Sequence, residues 1–580
     1  MQRRVARRWA VLGIGAAALG AGRVVAGIGA RLAGVPPARY RVGVAWKQPV
    51  PMPDGVILYA DHYYPRAPGP FPTILVRSPY GRGWDMPYPF GLGMVQVPRF
   101  LAARGYHVVF QTARGCFDSG GAFPFLVNEE ADGRATAEWI AAQPWFNGAL
   151  GMWGASYWGY VQWALAADAP PYLKALAPSL SGSQMGTLIF PDGAPAFDLI
   201  VRWIRFTELL QHAGHWGGLG LIPRMAPWVQ GRVLGPVFRA LPISEAVERA
   251  LGYPVAFYRE AIEHPTLDRP YWQARDHSAT VPLVTAPVNL IAGWYDIFLR
   301  ESLADYAALV AAGRAPHLTI GPWTHTDGEV MVTSLREGLR WFAAHLQGDP
   351  AALRARPVRL YVMGGGGWRD LDAWPPPARP TRLYLHAGGR LAADPPPADA
   401  PPDHYRYDPA NPTPNIGGPL IFPPAGAQDQ RPLEARPDVL CYTTDPLPAD
   451  LEVIGPVRLE LYVRSSRAHT DFVGRLCDVA PNGRSVNICE GLTRLTPGCG
   501  TPQPDGSLRI AVDLYPTAQR FRQSHRIRIH VASGGHPRWA RNLGTGEPFA
   551  TGTAMLAAAQ TIYHDAAHPA ALVLPVTADG

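Results

Sequence analysis

A chain of 580 residues exceeds one ordinary domain and has room for two or three cores. Hydrophobic residues make up 47% and charged residues 17%, which argues against disorder, while 61 Gly and 62 Pro favour turns and irregular loops over long helical bundles. The net charge of +7 rests on arginine, with Lys47 and Lys174 the only lysines. No basic run interleaved with aromatics follows residue 40, so nucleic acid is not an expected partner.

At the N-terminus Arg3, Arg4, Arg7 and Arg8 precede a weakly apolar run from Trp9 to Gly22, the charge order of a signal peptide with a loose twin-arginine likeness. Arg23 and Arg31 interrupt that run and no Ala-x-Ala site follows it. A spanning helix is not expected, since it needs about 20 apolar residues. Residues 1–39 are thus read either as a signal or anchor for an exported protein or as a plain extension of a cytoplasmic one. Cys116, Cys441, Cys477, Cys489 and Cys499 form no CxxC or CxxH spacing and are too scattered for a disulfide framework. A pairing of Cys489 with Cys499 stays open for an exported protein.

Residues 42–64 read as a hairpin around Asp54-Gly55, because Gly tolerates positive φ. Buried-strand runs follow at Pro72–Arg77 and Tyr106–Gln111, separated by a helical stretch from Val97 to Arg104. A helix from Glu129 to Gln143 leads to a strand, Ala149–Trp153, that runs into Gly154-Ala-Ser156. Such alternation predicts a doubly wound, largely parallel sheet in an α/β domain.

From about 181 to 282 aromatic-rich helical segments such as Phe197–His212 are broken by Gly and Pro, the texture of a helical insertion. Strands and helices resume with Val288–Asp296, a helix to about Ala312, His317–Gly321 and a helix from about Val332 to Gln347. Beyond 353 short period-two runs, Val358–Met363, Val457–Val463 and Arg526–Val531, predict a separate all-β sandwich or jelly roll. Pro395 to Pro402 reads as a surface loop of that domain. The expected division is a catalytic domain over 40–180 and 283–352, a cap over 181–282 and a β domain over 353–580.

A serine hydroxyl attacks a carbonyl only with a base beside it, a group orienting that base, and donors for the oxyanion. Gly154-Ala-Ser156-Tyr-Trp-Gly159 sits where a buried strand meets a helix, although Trp158 breaks the common G-x-S-x-G string. Asp296 and His325 each follow a predicted strand at its carboxyl end, and the order Ser, Asp, His is that of an α/β-hydrolase. Ser156 is therefore expected as nucleophile, His325 as general base and Asp296 as the residue that orients it. The backbone N–H of Tyr157 is one oxyanion donor, and the Tyr80 hydroxyl is a second candidate in a loop without an HGGG run.

These residues resemble the cocaine-esterase-like and X-prolyl dipeptidyl-peptidase-like (CocE/NonD) serine hydrolases, which include α-amino acid ester hydrolases. The likeness runs through Asp54-Gly-Val56, Ser78-Pro-Tyr80, Arg114-Gly115, Ser119-x-Gly121, Gln143–Gly148, Gly154–Gly159, Gly293-Trp-Tyr-Asp296 and Gly321-Pro-Trp-Thr-His325. It continues in Tyr407–Pro412, Gln428-Asp-Gln430, Asp438-Val-Leu440, Thr470-Asp-Phe472 and Asp478-Val479. The resemblance implies Ser156, Asp296 and His325 as a triad, Tyr80 and Tyr157 as the oxyanion hole, a helical cap and a C-terminal jelly roll. It also tolerates a bulky residue at Trp158. Thr112 departs from it, since relatives usually carry Asp in a Q-D-x-R-G stretch.

An acyl-enzyme mechanism on a small ester, amide or short peptide is the expected function, without metal or cofactor, and the sequence gives no oligomeric state. Acyl transfer to another acceptor would use the same triad. A catalytically silent binding protein would leave Ser156 unlabelled by a fluorophosphonate. A metal site at His325-x-Asp327-x-Glu329 is disfavoured, because His325 has another role. An amino-terminal substrate would need carboxylates for its ammonium, for which the insertion offers Asp192, Asp198, Glu208, Glu263, Asp268 and Asp276.

Overall fold

A computed structural model describes residues 34–86, 90–166, 168–212, 227–267 and 270–577. The charged and apolar segment at residues 3–22 and Asp268 lie outside them. Among the described residues no helix is long and apolar enough to cross a membrane.

The first sheet has ten strands: β1 (Val42–Pro51), β2 (Ile57–Pro65), β3 (Thr73–Ser78), β4 (His107–Thr112), β5 (Leu150–Ala155), β6 (Leu173–Ser179), β7 (Asn289–Tyr295), β8 (His317–Thr324), β9 (Val358–Val362) and β10 (Gly367–Leu371). Their order is β1-β2-β4-β3-β5-β6-β7-β8-β9-β10, parallel from β4 through β9 and antiparallel at both ends. β3, β4 and β7 are buried along their whole length, as strands covered by helices on both faces must be. Helices Glu129–Ala141, Tyr157–Ala166, Leu299–Ala311 and Gly328–Leu346 supply that cover.

Between β6 and β7 the chain leaves the sheet for helices that include Met185–Ile189, Phe197–Gln211, Pro227–Arg239 and Ala256–Glu263. These form the cap over the carboxyl ends of the strands. A second sheet of twelve strands, ten along its main path and two beside it, begins at Arg379 and is antiparallel except where Arg390 pairs with Thr443. Its strand Leu451–Ser465 alternates buried and more exposed residues, the period-two pattern of a sheet with one covered face.

One expectation needs correction. Val358–Val362, read as part of the C-terminal β domain, pairs in parallel with β8 through Leu318 and Val358 and through Ile320 and Leu360. Its alternation is real, with buried residues at every second position. Such alternation reports a strand with one covered face and says nothing about which sheet it joins. The first sheet therefore continues to Leu371, past the expected boundary at 352. Just beyond β9, Met363 exchanges backbone hydrogen bonds with Ala518 (2.9 Å) and Arg520 (3.0 Å) of the second sheet. Gly364 permits this approach, for a Cβ there would stand 2.0 Å from the Arg520 carbonyl oxygen.

Candidate active site

β5 ends at Ala155 and a helix starts at Tyr157, so the residue between them must turn the chain sharply. Ser156 does this at φ 59°, the left-handed region that non-glycine residues rarely occupy. Two glycines make the turn feasible: a Cβ at Gly154 would lie 2.2 Å from Trp158 Cβ, and one at Gly159 would lie 2.4 Å from Ser181 Cβ. Positions 154 and 158 thus face each other. With Gly154 bare, the bulky Trp158 fits where the common motif keeps a second glycine.

Asp296 follows β7 and is fully buried. One carboxylate oxygen accepts the Phe298 backbone N–H at 3.0 Å, and the other meets His325 Nδ1 at 2.6 Å. His325 follows β8, and its Nε2 stands 3.1 Å from Ser156 Oγ. The structure thus brings together the three residues predicted from the sequence, with each ring nitrogen committed to a different partner.

Tyr80 follows β3, and its hydroxyl accepts a hydrogen bond from Trp203 Nε1 at 3.0 Å. Burial pushes the Tyr80 phenol up to about 12, against the opposing effect of hydrogen bonds with Trp203 and Ser156. It is a neutral hydroxyl at working pH. The Tyr157 N–H belongs to the first residue of its helix, where backbone donors have no partner within the helix. The Tyr157 ring points elsewhere: its hydroxyl donates to Glu129, which pairs with the buried Arg77 at 2.7 Å. Burial beside Glu129 holds that phenol well above its ordinary value.

The loop carrying Tyr80 is pinned by Arg82, which is buried against Asp118 (2.8 Å), Asp61 (3.2 Å) and Asp85 (3.5 Å). Thr112 Oγ1 accepts from the same guanidinium at 2.7 Å. The departure at Thr112 therefore leaves a neutral acceptor in a cluster that already has three carboxylates. Its contact with the site runs through Arg82, which holds the Tyr80 loop.

Two cavities meet at Ser156. One is lined by Phe125, Leu188, Ile200, Trp203, Phe257 and Ile297, among other uncharged residues. The other is lined by His325, Thr326, Met331, Met86, Phe206 and Phe422, again without a charged carboxylate or guanidinium among the described residues. Of the insertion's acidic residues, Asp192 pairs with Arg300 (2.6 Å), Asp198 with Arg202 (2.5 Å), Glu208 with Tyr253 (2.8 Å) and Asp276 with Gln184 (3.0 Å). Glu263 is exposed. None of these five lines either cavity.

Asp327, the middle residue of the His325-x-Asp327-x-Glu329 string, is the N-cap of the Gly328–Leu346 helix and accepts the Glu329 N–H at 3.0 Å. All five cysteines are free, with Cys489 buried and Cys499 exposed. Sequence reasoning missed Trp203, which nothing separates from the other apolar residues of its helix. It also missed Ile421 and Phe422, which reach the site from the C-terminal half. Their signal was present as Leu420-Ile-Phe422, an apolar run inside a Gly/Pro loop with no strand to bury it.

This architecture is that of a serine hydrolase of the α/β-hydrolase class with an added β domain. A family model described as X-Pro dipeptidyl-peptidase (S15 family) matches residues 54–327, and one described as X-Pro dipeptidyl-peptidase C-terminal non-catalytic domain matches residues 351–573. Cocaine esterase from Rhodococcus sp. is 34% identical over 91% of this chain and 97% of its own. The chain belongs to this cocaine-esterase-like and X-prolyl dipeptidyl-peptidase-like family of serine hydrolases. Among solved structures, an aminopeptidase from a marine sediment Thaumarchaeota archaeon superposes with a TM-score of 0.78 at 23% identity, covering 93% of this chain and 96% of that one. An α-amino acid ester hydrolase gives 0.75 at 23%, covering 92% and 97%, so both share the fold.

Proposed function

We propose that Ser156 is the nucleophile, His325 the general base, Asp296 its orienting partner, and that Tyr80 O–H and Tyr157 N–H receive the oxyanion. Ser156 Oγ attacks the carbonyl carbon as His325 Nε2 takes its proton, and Asp296 stabilises the imidazolium through Nδ1. The tetrahedral intermediate collapses, the C–O bond to the alcohol breaks, and His325 returns the proton to the departing oxygen. Water then attacks the acyl-enzyme by the same route, releasing the acid and restoring Ser156. Since the leaving oxygen must meet His325 Nε2, the alcohol occupies the cavity lined by His325 and Met331. The acyl group occupies the other.

The substrate class follows from that acyl cavity. Its described lining is aliphatic and aromatic with no charged side chain. A free ammonium seated there would lose its hydration without a counter-charge, which is costly. The reading is an esterase for neutral, bulky, apolar acyl groups rather than a peptidase or amino-ester hydrolase. Cocaine esterase, the 34% identical relative, bears the name of such an ester substrate. Comparing p-nitrophenyl benzoate with X-Pro p-nitroanilides and amino-acid esters tests it. The benzoate should lead in kcat/KM by about 10²-fold or more, on the scale of an unpaired buried cation. A preference for the free-amino substrates would overturn it.

A further inference from the structure

An oxyanion donor is useful only if its proton points at the developing charge, and a phenol can rotate its O–H away. We propose that Trp203 is a positioning residue that locks the Tyr80 hydroxyl as a donor toward the reacting oxygen. The inference rests on the role given to Tyr80 above. A phenolic oxygen can donate and accept, whereas an indole N–H can only donate. Because Trp203 Nε1 donates to Tyr80 at 3.0 Å, the Tyr80 proton has no acceptor on that side. Of the other rings around Tyr80, Trp158 at 6.4 Å and Phe206 at 6.0 Å between centroids offer no oxygen, and Tyr157 at 6.4 Å directs its hydroxyl to Glu129. Ser156 adjoins the hydroxyl as well, and the oxyanion forms on the substrate oxygen beside that serine. Accepting the indole bond also polarises the phenolic O–H and strengthens it as a donor.

Trp203 is itself held. Its ring packs on Phe125 at 5.5 Å and Phe257 at 6.3 Å, and its carbonyl accepts from Thr207 Oγ1 at 3.2 Å. It stands on the Phe197–Gln211 helix, so an element of the cap sets the direction of a donor carried by the sheet. The catalytic geometry is complete only when the cap is seated.

A double-mutant cycle on p-nitrophenyl ester turnover tests this, using Trp203→Phe, Tyr80→Phe and the pair in the full chain. Trp203→Phe should lower kcat by about 5-fold to 10-fold, the scale of one hydrogen bond, in the wild-type background. In the Tyr80→Phe background the same substitution should change kcat by less than about twofold, since the hydroxyl it acts on is gone. Equal losses in both backgrounds, or a change confined to KM, would overturn the inference and make Trp203 a wall of the cavity. A normal kcat for Tyr80→Phe alone would instead overturn the role of Tyr80, and the inference with it. Should Trp203→Phe unfold, 3-benzothienylalanine at 203 keeps the shape and removes only the N–H. That variant should show the same loss of kcat, and wild-type turnover would refute the proposal.

Discussion

Two lines of nucleophile, imidazole and carboxylate run through this molecule. In the first, Ser156 meets His325 Nε2 and Asp296 meets Nδ1, so the ring bridges two partners. In the second, inside the C-terminal domain, Cys477 Sγ lies 3.8 Å from His530 Nε2, and Glu434 contacts that same nitrogen at 3.1 Å. His530 Nδ1 has no hydrogen-bond partner, and Cys477 is fully buried within the strand Thr470–Val479, where burial pushes its thiol above the ordinary range. Residue types alone do not make an active site. A strained turn that presents the nucleophile to a cavity, and separate use of the two nitrogens, distinguish the first line from the second.

The largest test of that contrast is Ser156→Ala, which removes only Oγ from the turn. Turnover should fall below about one part in a thousand of wild type, with an unchanged melting temperature. Tyr80→Phe comes next, with kcat reduced about 10²-fold to 10³-fold and KM little altered if the hydroxyl meets the oxyanion. Raised KM at constant kcat would mean that it binds substrate in the ground state.

The second line should respond in stability instead. Burial holds the His530 ring below its ordinary value, although Glu434 acts in the opposite direction. An unfolded histidine takes up a proton near pH 6.5 and the folded ring only at lower pH, so the unfolded state binds more protons in between. This residue's contribution therefore makes the protein less stable as pH falls from about 6.5 until the folded ring is protonated. His530→Gln should flatten the dependence of the urea midpoint on pH between 7 and 5, and a slope equal to wild type would contradict the assignment. The smallest effect is expected for Cys477→Ser, with kcat and KM unchanged. A measurable loss of turnover would show that the buried line communicates with Ser156.

The elements of the first line were legible because each is local: a buried run, a turn residue after it, and the chain order of three strand ends. The departure at Trp158 looked like an obstacle because sequence cannot show that residues 154 and 158 meet face to face. The alternation in Val358–Val362 identified a half-covered strand but not its neighbour, since pairing with β8 is a long-range choice. Trp203, Ile421 and Phe422 were hidden for the same reason. Their role depends on which surfaces come together, and a helix of the cap or a Gly/Pro loop carries no record of its destination.

The placement of β9 has a consequence for synthesis. β8 is finished at Thr324, but the strand that covers its open side arrives only at Val358–Val362, and the Met363 contacts that fasten it wait for Ala518 and Arg520. Until then a nascent chain presents a row of unpaired backbone groups, the kind of edge on which two polypeptides stitch together. Ribosomes stalled before residue 358 should therefore hold chains that recruit chaperones more strongly than chains stalled after 371 and beyond the exit tunnel. In this molecule the last half of the message protects the first.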